Sequence, residues 1–186
     1  MLSFKKFYKL FICEATNKTV VFVFGRMNPP TNGHEKMLMF AKKVADKENA
    51  DLRIYVSHSQ DSKKNPLSYD QKLEYLKQGV PSLSQYIQRS TQKTAFKVIE
   101  NELAGYEKII MVVGEDRAEE FTTQLSKYYP NVEVRHIERL PGAISASAQR
   151  EAVKQDDFGL FKKGCPSGLS DQNARKLFDL VKSQLK

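Results

Sequence analysis

The stretch "GRMNPPTNGH", Gly25 to His34, directly follows the apolar run "TVVFVF". The chain leaves a strand through a glycine, two prolines and an Asn-Gly pair, then places a histidine just inside the next helix. An ordinary strand-to-helix connection needs only one or two turn residues. Gly25 has no Cβ and lets the backbone approach a ligand closely, while Pro29 and Pro30 stiffen the turn. Asn32 is the expected N-cap, so Gly33 and His34 fall in the first helical turn, where free N–H groups and the dipole favour phosphate. The same dipole disfavours a protonated imidazole. A triphosphate alongside reverses that preference and lets His34 donate to a phosphate oxygen. Local chemistry alone is equally served by a stiff loop carrying an incidental surface histidine.

Working outward, "TVVFVF" is apolar on both faces, the pattern of a buried parallel strand. Met37, Leu38, Phe40, Ala41 and Val44 then mark one face of a helix. "LRIYVS" is a second strand, followed by the polar loop "HSQDSKKNP", and Ser68 with Gln71 makes a capping box for "YDQKLEYLKQ". A helical middle leads to the buried strand "KIIMVVG", the helix "EDRAEEFTTQLSKYY" and a further strand, "VEVRHI". "SASAQREAVKQ" opens a set of C-terminal helices that ends in "SDQNARKLFDLVKSQL". Strands alternating with helices imply right-handed βαβ units and a parallel sheet, hence an α/β fold. Ligands of such sheets bind beyond the carboxyl ends of the strands. Three polar loops leave strand ends here: "GRMNPPTNGH", "SHSQDSKKNP" and "VVGEDR".

With 186 residues, 40% hydrophobic and 28% charged, the chain suits one domain with a substantial core. A net charge of +8 and a pI near 9.4 attract anions, and fit equally a nucleotide site, a nucleic-acid face or life among packed DNA. Cys13 and Cys165 form no CxxC pair, and His34, His58 and His136 are scattered, so neither a disulfide framework nor a zinc site is expected. No apolar run approaches the roughly 20 residues that cross a bilayer. The expectation is a soluble protein made in a reducing compartment. "GLFKKGC", residues 159–165, has P-loop glycine spacing but lacks the Lys-Ser/Thr pair and follows no strand. No GxGxxG occurs, and nothing suggests a Ser-His-Asp triad.

"TNGH" resembles the (H/T)xGH signature of the nucleotidyltransferase superfamily that includes nicotinamide-mononucleotide, pantetheine-phosphate and cytidylyl transferases. "ISASAQR", Ile144 to Arg150, is similar to its ISSTxxR pattern near the start of a late helix. "KKNPLSYDQKLEYL" resembles the lysine-proline segment before a helix, and "VVGEDRAEEF" the G-x-D segment. The four stand in family order from Thr19 to about Lys163. Thr31 replaces the first family histidine, and Ala146 replaces a motif serine and removes one hydroxyl. The resemblance implies a Rossmann-like parallel five-stranded sheet flanked by helices, with the C-terminal helices beyond it.

It also implies a reaction. A phosphate on an acceptor attacks the α-phosphorus of a nucleoside triphosphate and releases pyrophosphate, by positioning and charge stabilisation rather than a strong base. By resemblance, Gly25, Arg26 and Met27 flank the nucleotide, with Thr31 and His34 at its phosphates. Lys64, or Lys63, neutralises the α-phosphate or the acceptor. Gly114 and Asp116 face the base and ribose, and Ser145, Ser147 and Arg150 hold the leaving pyrophosphate. His34 and Arg150 are expected at exposed helix starts. Mg²⁺ is expected to arrive with the triphosphate. The "NPPTNGH" form and Arg150 look more like the adenylyl branch, so ATP is expected before CTP, with nicotinamide mononucleotide the first acceptor to test. Taken singly, the lysines suit a charged loop, Asp116 a helix cap, and "ISASAQR" a serine-capped surface helix. His58 and His136 receive no role.

The pattern is also similar to nucleotidyltransferase-like proteins of large contractile-tailed phages. The leader "MLSFKKFYKLFICEA" resembles capsid-targeting segments of such phages, amphipathic and ending in an (L/I)xE site cut by the prohead protease, here Ile12-Cys13-Glu14. That reading divides the chain into a leader, 1–14, and a single domain, 15–186. It implies phage capsid and prohead protease as partners, and the host cytoplasm or the virion as location. It also leaves open a basic internal virion protein that keeps a nucleotide-binding fold without turnover.

Overall fold

A computed structural model describes residues 18–138 and 141–186. The leader and its Glu14 site lie outside the described residues. Among the described residues four strands form one all-parallel sheet: β1 (Thr19–Gly25), β2 (Asp51–Val56), β3 (Lys108–Gly114) and β4 (Val132–Ile137). Their order is β2-β1-β3-β4. The register runs Val20 to Asp51, Val20 to Ile109 and Ile109 to Val132 across the three pairs.

No fifth strand is formed among the described residues. Beyond β2 there is instead a parallel bridge between Ile54 and Ile87, with the Gln88 N–H donating to Ile54 O at 2.8 Å. The sequence explains the reduction. Pro81 opens a 3₁₀ turn, Pro81–Tyr86, that supplies no ladder donors, and "QRSTQKT" after Ile87 is polar throughout and has no apolar face to bury.

Seven helices complete the described part: α1 (Asn32–Lys47), α2 (Tyr69–Gly79), α3 (Ala95–Glu102), α4 (Glu115–Tyr128), α5 (Ala146–Lys154), α6 (Phe158–Lys163) and α7 (Asp171–Gln184). Alternate strand residues face opposite layers. Val21, Val23, Ile54, Ile110 and Val112 pack on Leu38, Ala41, Leu73 and Leu76 of α1 and α2. Val20, Phe22, Met111 and Val113 pack on Val98, Ile99 and Leu125 of α3 and α4. Both faces are covered, which is why β1 and β3 read as continuous apolar runs. A third cluster joins α5, α6 and α7 around Phe161 and Phe178, whose rings meet edge to face at 5.2 Å. Each such buried phenylalanine stabilises the fold by about 1.5–3 kcal/mol. "GLFKKGC" lies on α6 and its Gly164 cap and follows no strand. No helix among the described residues is long and apolar enough to cross a membrane.

From β1 the chain moves outward to β2, then crosses back over β1 to β3 and on to β4. The direction of winding therefore reverses between β1 and β3, and a crevice opens beyond their carboxyl ends. Gly25 ends β1 and Gly114 ends β3.

Candidate active site

A cleft of about 950 Å³ occupies this switch point, lined by the β1 exit, the starts of α1, α4 and α5, and the loop after β2. Every candidate site residue expected from the sequence lines it: Gly25, Arg26, Met27, Thr31, His34, Lys64, Gly114, Asp116, Ser145, Ser147 and Arg150. Lys63, the alternative to Lys64, does not.

The start of α1 differs from expectation by one residue. Thr31, not Asn32, is the N-cap: its backbone is extended, and its Oγ1 accepts the His34 N–H at 3.2 Å. In return the Thr31 N–H donates to His34 Nδ1 at 3.0 Å. This is a capping box in which an imidazole stands where glutamate or glutamine is usual. Nδ1 accepts, so the ring proton sits on Nε2, the nitrogen left for a ligand. Thr31 is 1% exposed, and its hydroxyl serves the helix start and the imidazole.

Asn32, freed from capping, ties distant segments together. Its Nδ2 donates to Gly142 O at 3.0 Å and Lys163 O at 3.1 Å, and its Oδ1 accepts the Ile144 N–H at 2.8 Å. Lys36 Nζ adds a bond to Pro141 O at 2.7 Å. The segment leading into α5 is thus latched onto α1. Gly33 permits the approach, because a Cβ there would lie 3.3 Å from Ile144 O. Gly25 likewise makes room for a neighbour: its Cβ would sit 3.2 Å from Met27 Cε. Met27 is 1% exposed and holds φ at +45°, a left-handed conformation costly for a side chain and maintained by its burial.

His34 keeps part of its surface on the cleft, yet the protein around it penalises the imidazolium and lowers its pKa to about 4, a shift only partly opposed by Asp116. The site therefore presents a neutral imidazole at neutral pH, and His34 is less exposed than a helix start alone suggests. An unfolded chain titrates near 6.5. The depressed folded value contributes stability above that pH, and it is lost as pH falls from about 6.5 towards 4, where only the unfolded chain takes up the proton. Melting temperatures from pH 7 to 5 are expected to fall more steeply for the wild type than for His34→Gln. Parallel curves would show that His34 is not held neutral by burial.

The lysine loop after β2 is shaped by Asp61, whose Oδ1 accepts the N–H groups of Lys63 and Lys64 at 2.8 and 2.6 Å. The Asn65 side-chain amide foremost, then these two bonds and the Asn65 N–H, hold its carboxylate well below the usual range. Beneath the loop, Lys72 of α2 is fully buried and donates to the carbonyls of Ser57 and Ser59, the latter at 3.0 Å. Burial lowers its pKa to about 8. In the sequence Lys72 sits within "YDQKLEY" and reads as an ordinary solvated helix residue; only its phase, one before Leu73, hints at burial.

At the start of α5, Ser145 is the N-cap and accepts the Ala148 N–H at 3.1 Å. Arg150 is half-buried one turn on, with Nη2 donating to Ser147 Oγ at 3.0 Å and Nη1 to Asn28 O at 2.8 Å. Burial, and then Arg26 nearby, lower its pKa. At α4 the charge is opposite: Glu115 and Asp116 occupy the first turn, and Asp116 Oδ1 would lie 2.8 Å from a Cβ on Gly114. The cleft therefore carries both signs of charge, and Asp116 is close enough to His34 to favour its charged form. Arg26, Lys64 and Arg150 line it and form no ion pair among the described residues. Phe24, Val113, Phe121 and Ile137, from β1, β3, α4 and β4, add apolar lining.

His58, given no role above, stacks on Tyr69 at 3.9 Å and bonds Ser90 O at 2.8 Å, a packing arrangement. His136 lies within β4. A second cavity, about 430 Å³, opens near Lys42, Asp46 and Arg53, and holds none of the candidate residues.

The profile of the cytidylyltransferase-like family matches residues 22–170, a span running from β1 to the residue before α7. The chain belongs to that family. Membership shows nucleotidyl transfer as the class of chemistry that this fold and cleft serve. Among solved structures, a protein of Vibrio parahaemolyticus assigned as a nicotinate-nucleotide adenylyltransferase superposes with a TM-score of 0.58 at 16% identity, covering 86% of this chain and 98% of its own. TmcAL of Thermotoga maritima, bound with alpha-thio ATP, gives 0.51 at 12% identity, covering 89% of this chain and 55% of its own. At these identities the likeness is one of fold. Comparison with curated protein sequences finds no match.

Proposed function

We propose that this member of the cytidylyltransferase-like family is an adenylyltransferase, moving AMP from ATP onto the phosphate of a small acceptor and releasing pyrophosphate. The observation that carries the reading is the make-up of the cleft: Arg26, Lys64 and Arg150, in no ion pair among the described residues, line it together with the starts of α1 and α5 and the apolar Phe24, Val113, Phe121 and Ile137. The cations and helix starts suit a triphosphate, and the apolar groups suit an uncharged base. The ATP analogue in TmcAL and the adenylyl transfer in the Vibrio protein's name support the adenylyl assignment.

In the proposed reaction an acceptor phosphate oxygen forms a bond to the α-phosphorus, and the bond from that phosphorus to the bridging oxygen of the β-phosphate breaks. The electron pair leaves with pyrophosphate, and an ionised acceptor phosphate needs no base. Lys64 meets the charge on the α-phosphate, and Arg150 with Arg26 meets the charge that grows on the leaving group. His34 donates its Nε2 proton, as a hydrogen bond from a neutral ring, to a phosphate oxygen. The N-terminal turns of α1 and α5, with Ser145 and Ser147, face the β- and γ-phosphates. Mg²⁺ would arrive with the triphosphate and would neutralise part of its charge. No cluster of three His, Cys, Asp or Glu suited to a metal occurs among the described residues. Nicotinamide mononucleotide is the first acceptor proposed.

ATP with Mg²⁺ is expected to raise the melting temperature, since a ligand bound only to the folded state stabilises it by about 2.7 kcal/mol at a hundredfold excess over Kd. For a domain of this size that is a rise of about 5–10 °C. CTP is expected to do less. An equal or larger shift with CTP would overturn the adenylyl assignment, and no shift with any triphosphate would overturn the nucleotidyltransferase reading.

A further inference from the structure

Asn28 stands inside the β1 exit loop with no role in the reaction just described, yet it is 1% exposed and every polar group of its side chain is used at long range. Its Nδ2 donates to Leu67 O at 2.9 Å, and its Oδ1 accepts the Leu67 N–H at 2.9 Å. This reciprocal pair imitates one rung of a backbone ladder and joins the β1 exit to the end of the lysine loop. The Asn28 carbonyl, meanwhile, accepts from Arg150 Nη1 at 2.8 Å. One buried residue therefore touches both the segment that carries Lys64 and the guanidinium on α5, two groups brought from opposite parts of the chain.

The loop itself offers few other anchors. Asp61 organises it internally, Lys72 holds its first residues, and the Lys186 N–H donates to Ser62 O at 2.7 Å. At the loop's carboxyl end the Leu67 side chain packs into the α5–α7 cluster, and the Asn28 pair ties its backbone to the cleft wall. Leucine at 67 is fully buried, so its backbone groups have no water to turn to, and without the pair they are unsatisfied.

We propose that Asn28 is a positioning residue: it sets the spacing between Lys64 and Arg150, so that both engage one substrate at once. The inference rests on the adenylyltransferase reading for its catalytic meaning, but not for its structural content. Asparagine suits the task because it carries a donor and an acceptor on one planar group; aspartate keeps only the acceptor, and alanine keeps neither.

The test compares Asn28→Asp and Asn28→Ala with the wild type, alone and in a Lys64→Ala background. Each variant is expected to lower kcat by about tenfold to a hundredfold, since small misplacements of charged groups cost that much, with the Kd for ATP within about twofold. In the Lys64→Ala background the loss is expected to shrink severalfold, because Asn28 acts through Lys64. Fully additive losses, or a Kd that rises as far as kcat falls, would overturn the proposal. Deuterium exchange of the ligand-free proteins needs no turnover. Amides of residues 59–67 are expected to exchange faster in both variants while those of β1 and β3 do not change; unchanged exchange in 59–67 would overturn the proposal outright. A wild type that shows no turnover with any acceptor would count against the adenylyltransferase reading, and the exchange comparison would still decide the claim about Asn28.

Discussion

Arg150→Ala is expected to lower turnover by about a hundredfold or more, equivalent to about 3 kcal/mol for removing one charge-stabilising group from a preorganised site. The guanidinium is half-buried, and both of its bonds run to neutral oxygens, Ser147 Oγ and Asn28 O. No carboxylate competes for it within ion-pair distance among the described residues. Its charge is therefore available to a leaving pyrophosphate, and Arg26 beside it makes an anion there more welcome. Arg150→Lys keeps the charge but loses the planar fork that spans the two oxygens, so it is expected to recover only part of the rate. Steady-state kinetics check this. A drop confined to KM, with kcat intact, would mean that Arg150 binds ground state and transition state alike.

His34→Ala carries an effect of similar size, about a hundredfold in turnover, but with a second consequence that Arg150 lacks. The imidazole belongs to the capping box of α1, accepting the Thr31 N–H at 3.0 Å. Its removal leaves that donor without a partner and is expected to cost about 1 kcal/mol of stability, the usual scale for removing a cap. His34→Gln retains an acceptor at the third helical position and is expected to restore stability while turnover stays low. Thermal melts and rates on the same three proteins separate the two roles. If glutamine restored turnover as well, the ring would be a cap only, and the phosphate contact would belong to another group.

The strands were legible because β1 and β3 are buried on both faces, and a continuous Val/Ile/Phe run has few other fates. The candidate residues were legible because they sit at the four points where strands or loops meet helix starts, and the structure gathers them on one cleft. Three things were not readable. The fifth strand failed because Ile87 is the lone apolar residue between a proline-initiated turn and a polar run, enough for one bridge and no ladder. The cap shifted from Asn32 to Thr31 because Asn32 is recruited by Gly142, Ile144 and Lys163, partners more than a hundred residues away that local propensity does not see. Lys72 is buried among backbone carbonyls that only the folded loop provides. For the cap and for Lys72 the deciding contact is long-range, while the sequence signal is local.

The central claim is that the cleft at the β1–β3 switch point transfers a nucleoside monophosphate to a phosphate. The most direct measurement is pyrophosphate release by the purified protein with Mg²⁺ and each nucleoside triphosphate in turn, against a panel of phosphorylated acceptors that includes nicotinamide mononucleotide. The account predicts acceptor-dependent release, fastest with ATP, with an adenylylated acceptor formed in matching amount and a loss of about a hundredfold in Arg150→Ala. Tight triphosphate binding with no release for any acceptor, or release that Arg150→Ala leaves unchanged, would contradict it.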